Sequence, residues 1–259
     1  LDAKHQVTVI VTDHKKAPQQ GKNVTVKGDL GQSAAGKTDK NGELTVPEVE
    51  QTERHGVYIV GYTDGTFGPS RSMTRSEAAA IFARLLAEKN GDTISTAANT
   101  KFADIPAHAW YSGYVKYLSN NGITYGKSKT IFAPNDAITR AEFTTMAVRF
   151  FDVYGDGDAE IMEQFSGFND VSSGYWAAEY IKYAALHGWI NGYGDGSFHA
   201  DREINRAEVV TIVNRLLGRE ADEDYIADNL RKLNTFPDVT KRHWAYYAVM
   251  EAANAHTAV

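Results

Sequence analysis

The chain has 259 residues and a net charge of −6, with a sequence pI of about 5.8. An acidic balance without a basic stripe excludes a protein whose main task is gripping nucleic acid. The absence of cysteine excludes disulfides and thiolate metal sites, and no apolar run approaches a membrane span. A hydrophobic share of 42% with 23% charged residues is ordinary globular composition, and the length permits one or two domains.

The first segment reads as β structure. Val7, Val9 and Val11 alternate with polar residues, as do Val24 and Val26, then Leu44 and Val46. Lys16-Ala17-Pro18 and Lys40-Asn41-Gly42 mark turns, and Asn-Gly is a strong hairpin signal. The run from Gly36 to Leu44 weakly resembles small β-sandwich modules of the Cna-B or carboxypeptidase-regulatory type. Residues 1–55 are therefore expected to be a β-rich spacer or partial β-sandwich, with Gln51–Gly56 as the junction. A chain starting at Leu1 with no signal peptide is expected to be a processed or truncated piece.

The remainder, residues 56–259, is repetitive. Thr74-Arg75-Ser76-Glu77 returns as Thr139-Arg140-Ala141-Glu142 and as Asn205-Arg206-Ala207-Glu208. A second motif alternates with this tetrad: Phe102-x-Asp104 with Trp110, Phe168-x-Asp170 with Trp176, and Phe236-x-Asp238 with Trp244. The step from Asp to Trp is six residues in all three copies, and from Asp to the next tetrad arginine it is 36 in both testable copies. A period of about 66 leaves room for two helices and a sizeable loop in each copy.

Each tetrad reads as a capping box, with Thr or Asn at the N-cap and Glu three residues on. Apolar stripes at helical spacing follow: Ala78, Ile81, Phe82, Leu85; Phe143, Met146, Ala147, Phe150; Val209, Ile212, Val213, Leu216. The tryptophan segments also read as helices, with Trp176, Tyr180, Ile181 and Ala184 on one side and Gly188 or Gly122 at the C-terminus.

These residues, with the loops Gly61-Tyr62-Thr63-Asp64-Gly65-Thr66-Phe67 and Gly192-Tyr193-Gly194-Asp195-Gly196-Ser197-Phe198, resemble the S-layer homology family over residues 57–259. The resemblance implies a mainly α, pseudo-threefold trimer of helix-loop-helix repeats, preceded here by the small β segment. It also implies a secreted bacterial protein held non-covalently at the cell wall. The implied partner is a secondary cell-wall polysaccharide, a peptidoglycan-associated glycan often ending in a pyruvylated sugar. The middle loop, 123–132, lacks the Asp-Gly pair. The repeats begin at a loop and end on a tryptophan segment, so the last tryptophan helix is expected to pack on the first Thr-Arg helix and close the ring.

Arg75, Arg140 and Arg206 would stand at the first helical position, where a cation is unfavourable by roughly 0.3–1 kcal/mol. They need a compensating partner. Either a carboxylate such as Asp104, Asp170 or Asp238 supplies it, or a bound anion does, on the guanidinium and free helix N–H groups. Both roles can coexist, with the aspartate orienting the arginine in the empty site. Trp110, Trp176 and Trp244 are either core residues or sugar platforms. Gly61, Tyr62, Gly192 and Tyr193 are candidate sugar contacts. Arg84, Arg149 and Arg215 read as last-turn cations that suit the helix dipole. The sites on Arg75 and Arg206 are expected to be better than the one on Arg140, whose own copy holds the loop without Asp-Gly.

Catalytic motifs are absent from the sequence, so no enzyme is expected. Asp156-Gly157-Asp158 with Glu160 matches only part of a calcium loop. The eight histidines show no metal-ligand spacing, and neither metal nor cofactor is expected. A monomeric anchor is the favoured reading. A structural S-layer protein dominated by self-assembly is the alternative.

Overall fold

The computed structural model describes residues 7–13, 15–27, 33–46, 53–154 and 165–258. They fall into two compact units, Leu1–Arg54 with Thr257–Val259, and His55–His256. The partial calcium-loop match at 156–160 lies outside the described residues.

In the first unit β1 (Val7–Ile10) pairs antiparallel with β4 (Glu43–Val46), and β2 (Asn23–Lys27) with β3 (Ser33–Lys37). The Asn41-Gly42 turn forms: the Asp39 carboxylate accepts from the N–H groups of Asn41 at 2.7 Å and Glu43 at 3.0 Å. The strands flanking it nevertheless take different partners instead of forming a hairpin. Val11 captures the turn, donating to the Gly42 carbonyl at 2.8 Å. A Cβ on Gly42 would sit 2.5 Å from the Val11 carbonyl oxygen. A further pair joins β5 (Glu53–His55) to β6 (His256–Ala258).

The second unit is mainly helical. Its elements are α1 (Arg75–Asn90), α2 (Ser112–Asn120), α3 (Arg140–Tyr154), α4 (Ala178–Leu186), α5 (Arg206–Leu216), α6 (Glu223–Asn229) and α7 (Tyr246–Ala253). The capping boxes form at Thr74/Glu77 and Asn205/Glu208. At Thr139/Glu142 the same two reciprocal bonds appear, at 3.1 and 3.2 Å. All twelve apolar stripe residues of the three tetrad helices are buried.

Three residues preceding the tetrads hold the helices around one axis. Met73 N–H donates to the Ile204 carbonyl, Ile204 N–H to that of Ile138, and Ile138 N–H to that of Met73, at 3.0, 3.0 and 2.9 Å. This closed ring of bonds, with all three side chains fully buried, gives the unit its pseudo-threefold centre. Phe82 packs against Phe143 and Phe150 on the same core, with ring centroids 5.3 and 4.9 Å apart.

Each tetrad helix packs against the tryptophan-segment helix that follows it: α1 on α2, α3 on α4, α5 on α7. The last helix thus sits on α5 rather than on α1. The ring is closed instead by the first loop, where Asp238 accepts from Phe67 N–H at 2.9 Å and Gly68 N–H at 2.7 Å. A carboxylate and two N–H groups satisfy a tight loop that a helix face could not reach.

Candidate functional site

The aspartates of the Phe-x-Asp motifs are all spent on this loop contact. Asp104 accepts from Phe132 and Ala133, and Asp170 from Phe198 and His199, as Asp238 does from Phe67 and Gly68. The second residue of each pair has a left-handed backbone, with φ of 69° at Gly68, 58° at Ala133 and 55° at His199. Desolvation alone would raise the Asp170 carboxyl, but the N–H groups of Phe198 and His199 hold it below the usual range. Gly61 and Gly192 are also loop-building residues, because a Cβ there would meet the Phe236 or Phe168 ring at 2.5 Å. Gly126 has the same relation to Phe102, so the middle loop keeps this glycine in register, with Lys127 rather than tyrosine after it.

The tetrad arginines are buried, between 4% and 5% exposed, and each crosses to the neighbouring copy. The Nε of Arg75 donates to the Phe132 carbonyl, that of Arg140 to Phe198, and that of Arg206 to Phe67, at 2.7, 2.9 and 2.9 Å. Arg140 and Arg206 also donate to the carbonyls of Asn191 and Val60. Their compensating partner is the capping glutamate of the next tetrad rather than an aspartate. Arg75 lies 3.0 Å from Glu142, Arg140 3.3 Å from Glu208, and Arg206 3.8 Å from Glu77. One carboxylate oxygen of each glutamate closes the capping box while the other faces the arginine. Burial lowers the pKa of Arg140 and Arg206 from the usual arginine value.

The helix N-termini do not offer free N–H groups. Those of Arg75, Arg140 and Arg206 donate to the carbonyls of Asp136, Arg202 and Arg71, and the next residues to Pro134, Ala200 and Pro69. At these helix starts an anion would meet the guanidinium rather than backbone N–H groups.

Three related grooves result. The first is lined by Arg206, Glu77, Arg84, Tyr62 and Trp110. The second has Arg140, Glu208, Arg215, Tyr193 and Trp244, and the third Arg75, Glu142, Arg149, Tyr125 and Trp176. The lining of each holds two guanidiniums and one carboxylate, and in the Arg140 groove Arg202 adds a third guanidinium bonded to Glu208, in a chain of net −6. The arginines at 84, 149 and 215 line the grooves; only Arg215 lies in the last turn of its helix, because α1 and α3 run on to Asn90 and Tyr154 past Arg84 and Arg149. Glu and Arg seven residues apart (84−77, 149−142, 215−208) share a helix face after two turns, a signal present in the sequence.

The tryptophans are not core residues. Trp110, Trp176 and Trp244 are 53%, 56% and 65% exposed at the groove edges. Helices α2, α4 and α7 begin two residues later, so the next residue, Tyr111, Ala177 or Ala245, enters the core instead.

Because the arginines cross over, the loop without Asp-Gly lines the Arg75 groove rather than the Arg140 groove. The turn itself survives there, since the Ser128 hydroxyl accepts from Thr130 and Ile131 much as Asp64 and Asp195 accept from Thr66 and Ser197. What changes is the decoration. Tyr62 stacks under Arg71 at 4.2 Å and Tyr193 under Arg202 at 5.5 Å. Lys127 and Asp136 replace these pairs with a 3.0 Å ion pair. The cavity volumes are about 260 and 200 Å³ for the Arg206 and Arg140 grooves and about 90 Å³ for the Arg75 groove.

The geometry defines a repeat-built helical unit with cationic, aromatic-edged grooves. The S-layer homology domain model matches residues 45–79, 101–144 and 167–210, and the chain belongs to the S-layer homology family. It is similar to cell surface glycoprotein 1 of Acetivibrio thermocellus, 35% identical over 78% of this chain and 9% of that protein. It is also similar to the cellulosome-anchoring protein of the same organism, 30% identical over 87% of this chain and 48% of the relative. The surface-layer 125 kDa protein of Lysinibacillus sphaericus is 32% identical over 61% of this chain and 13% of its own length. The chain thus spans less than half the length of these relatives. It is a secreted, surface-associated protein, and its helical unit is a cell-surface anchoring module.

Proposed function

We propose that the helical unit anchors its protein by binding an acidic secondary cell-wall polysaccharide in the inter-repeat grooves, as a monomer and without catalysis. The observation that carries this reading is the pairing of two guanidiniums with an exposed tryptophan in every groove. A terminal sugar acid, such as a pyruvyl ketal, docks its carboxylate between the arginines through charge-assisted hydrogen bonds. The apolar face of the pyranose lies on the tryptophan and tyrosine rings. The buried arginine is fixed by backbone carbonyls before the ligand arrives, so little ordering is needed on binding. The Arg206 and Arg140 grooves are the stronger sites, and the narrow Arg75 groove is the weaker one.

Mild acid treatment strips pyruvyl ketals from a polymer while leaving most of its backbone. Sedimentation of the chain with untreated polymer, and its loss with treated polymer, is the expected result. Equal binding to both would overturn the carboxylate as the recognised group.

A further inference from the structure

Outside the grooves lies a buried cluster of titratable side chains. His55 and His256 stand 201 positions apart in the chain, yet both reach Glu251 of α7. His55 Nδ1 lies 2.7 Å from one carboxylate oxygen and His256 Nε2 lies 3.3 Å from the other. One donor atom from each of the three residues lies within 4.8 Å of the others. The two histidine rings stand nearly perpendicular, at 83°, and Tyr225 stacks on His256 with centroids 5.1 Å apart.

All three side chains are buried, and Glu251 is 1% exposed. Among the described residues, the second Glu251 oxygen and His256 Nε2 are both buried without a hydrogen-bond partner. Two adjacent buried polar atoms without hydrogen-bond partners are costly unless something joins them. A divalent cation would remove that cost by neutralising the carboxylate.

We propose that His55, Glu251 and His256 form a binding site for a divalent transition metal, best matched by Zn²⁺, that clasps the two ends of the helical unit. Two imidazoles and a carboxylate suit zinc, whereas calcium and magnesium prefer oxygen ligands throughout. A water completes the fourth position. The clasp ties residue 55 to residue 256 and so opposes opening of the ring at its ends.

The test adds ZnCl₂ to the tag-free, chelator-treated chain and follows uptake by calorimetry and stability by thermal unfolding. Co²⁺ in place of Zn²⁺ reports the coordination by its visible absorption. The expected result is one Zn²⁺ per chain and a Tm rise of about 5–10 °C at a hundredfold excess over Kd. Intense tetrahedral Co²⁺ bands should accompany it. Glu251→Gln keeps the side-chain shape and His256→Ala removes a ligand; each should abolish the uptake and the Tm rise, while His108→Ala changes neither. Absence of stoichiometric uptake by the wild type would overturn the proposal. So would uptake unchanged in Glu251→Gln, since the metal would then sit elsewhere.

Discussion

The grooves at Arg206 and Arg75 share one frame but differ in what they present. In both, a buried arginine bonds a loop carbonyl, faces the next capping glutamate, and lies above a loop pinned by an aspartate. Tyr62 with Arg71 decorates one, while Lys127 with Asp136 occupies the corresponding place in the other. The correspondence follows from the backbone: Tyr62 and Lys127 donate to Thr66 and Ile131, and Arg71 and Asp136 donate to Gly68 and Ala133. Conserving the frame while varying the decoration separates residues that hold the fold from residues that face a ligand.

The largest effect should come from the frame, and it should be of similar size in both grooves. Arg75→Ala leaves one loop carbonyl, Arg206→Ala leaves two, and each leaves a glutamate without its guanidinium. Each should cost about 2–4 kcal/mol of stability, read by denaturant unfolding. Wild-type stability in either variant would show that its arginine is not a bridge.

Next come the outer arginines, which separate the grooves. Arg84→Ala and Arg215→Ala should keep native stability and each lower polymer affinity at its own groove by about tenfold or more. Arg149→Ala, in the narrow groove, should change affinity by less than about twofold. Equal losses from all three would erase the distinction.

The tryptophans should matter less. Trp110→Ala and Trp244→Ala should weaken binding by about three- to tenfold with unfolding unchanged, because these rings are exposed. Smallest is the gain from rebuilding the third groove. Lys127→Tyr with Asp136→Arg should add a few-fold to total polymer affinity, measured by calorimetry against the parent chain.

The legible part of the fold was local. Capping boxes and apolar stripes act over three to seven residues, so Thr139 with Glu142 or Phe82 with Leu85 could be read directly. The less legible part lay in pairings across the chain. Asp238 reaches Phe67 and Gly68, and Arg140 reaches Phe198, because copies interlock around an axis that no single repeat reveals. The tryptophans were ambiguous for another reason: periodicity marks a stripe but not the residue at which the helix starts, and two residues decide whether Trp176 is inside or outside. Asn41-Gly42 encoded its turn, while the strands flanking it chose distant partners. His55 and His256 could not be linked by spacing at all, since a sheet pair unites them.

The most direct test of the central claim is polymer binding by Arg84→Ala/Arg215→Ala, with circular dichroism on the same samples. The account predicts a native spectrum and an affinity lowered by about tenfold or more, because both of the stronger grooves are weakened together. A native spectrum with wild-type affinity would contradict the grooves as the anchoring site.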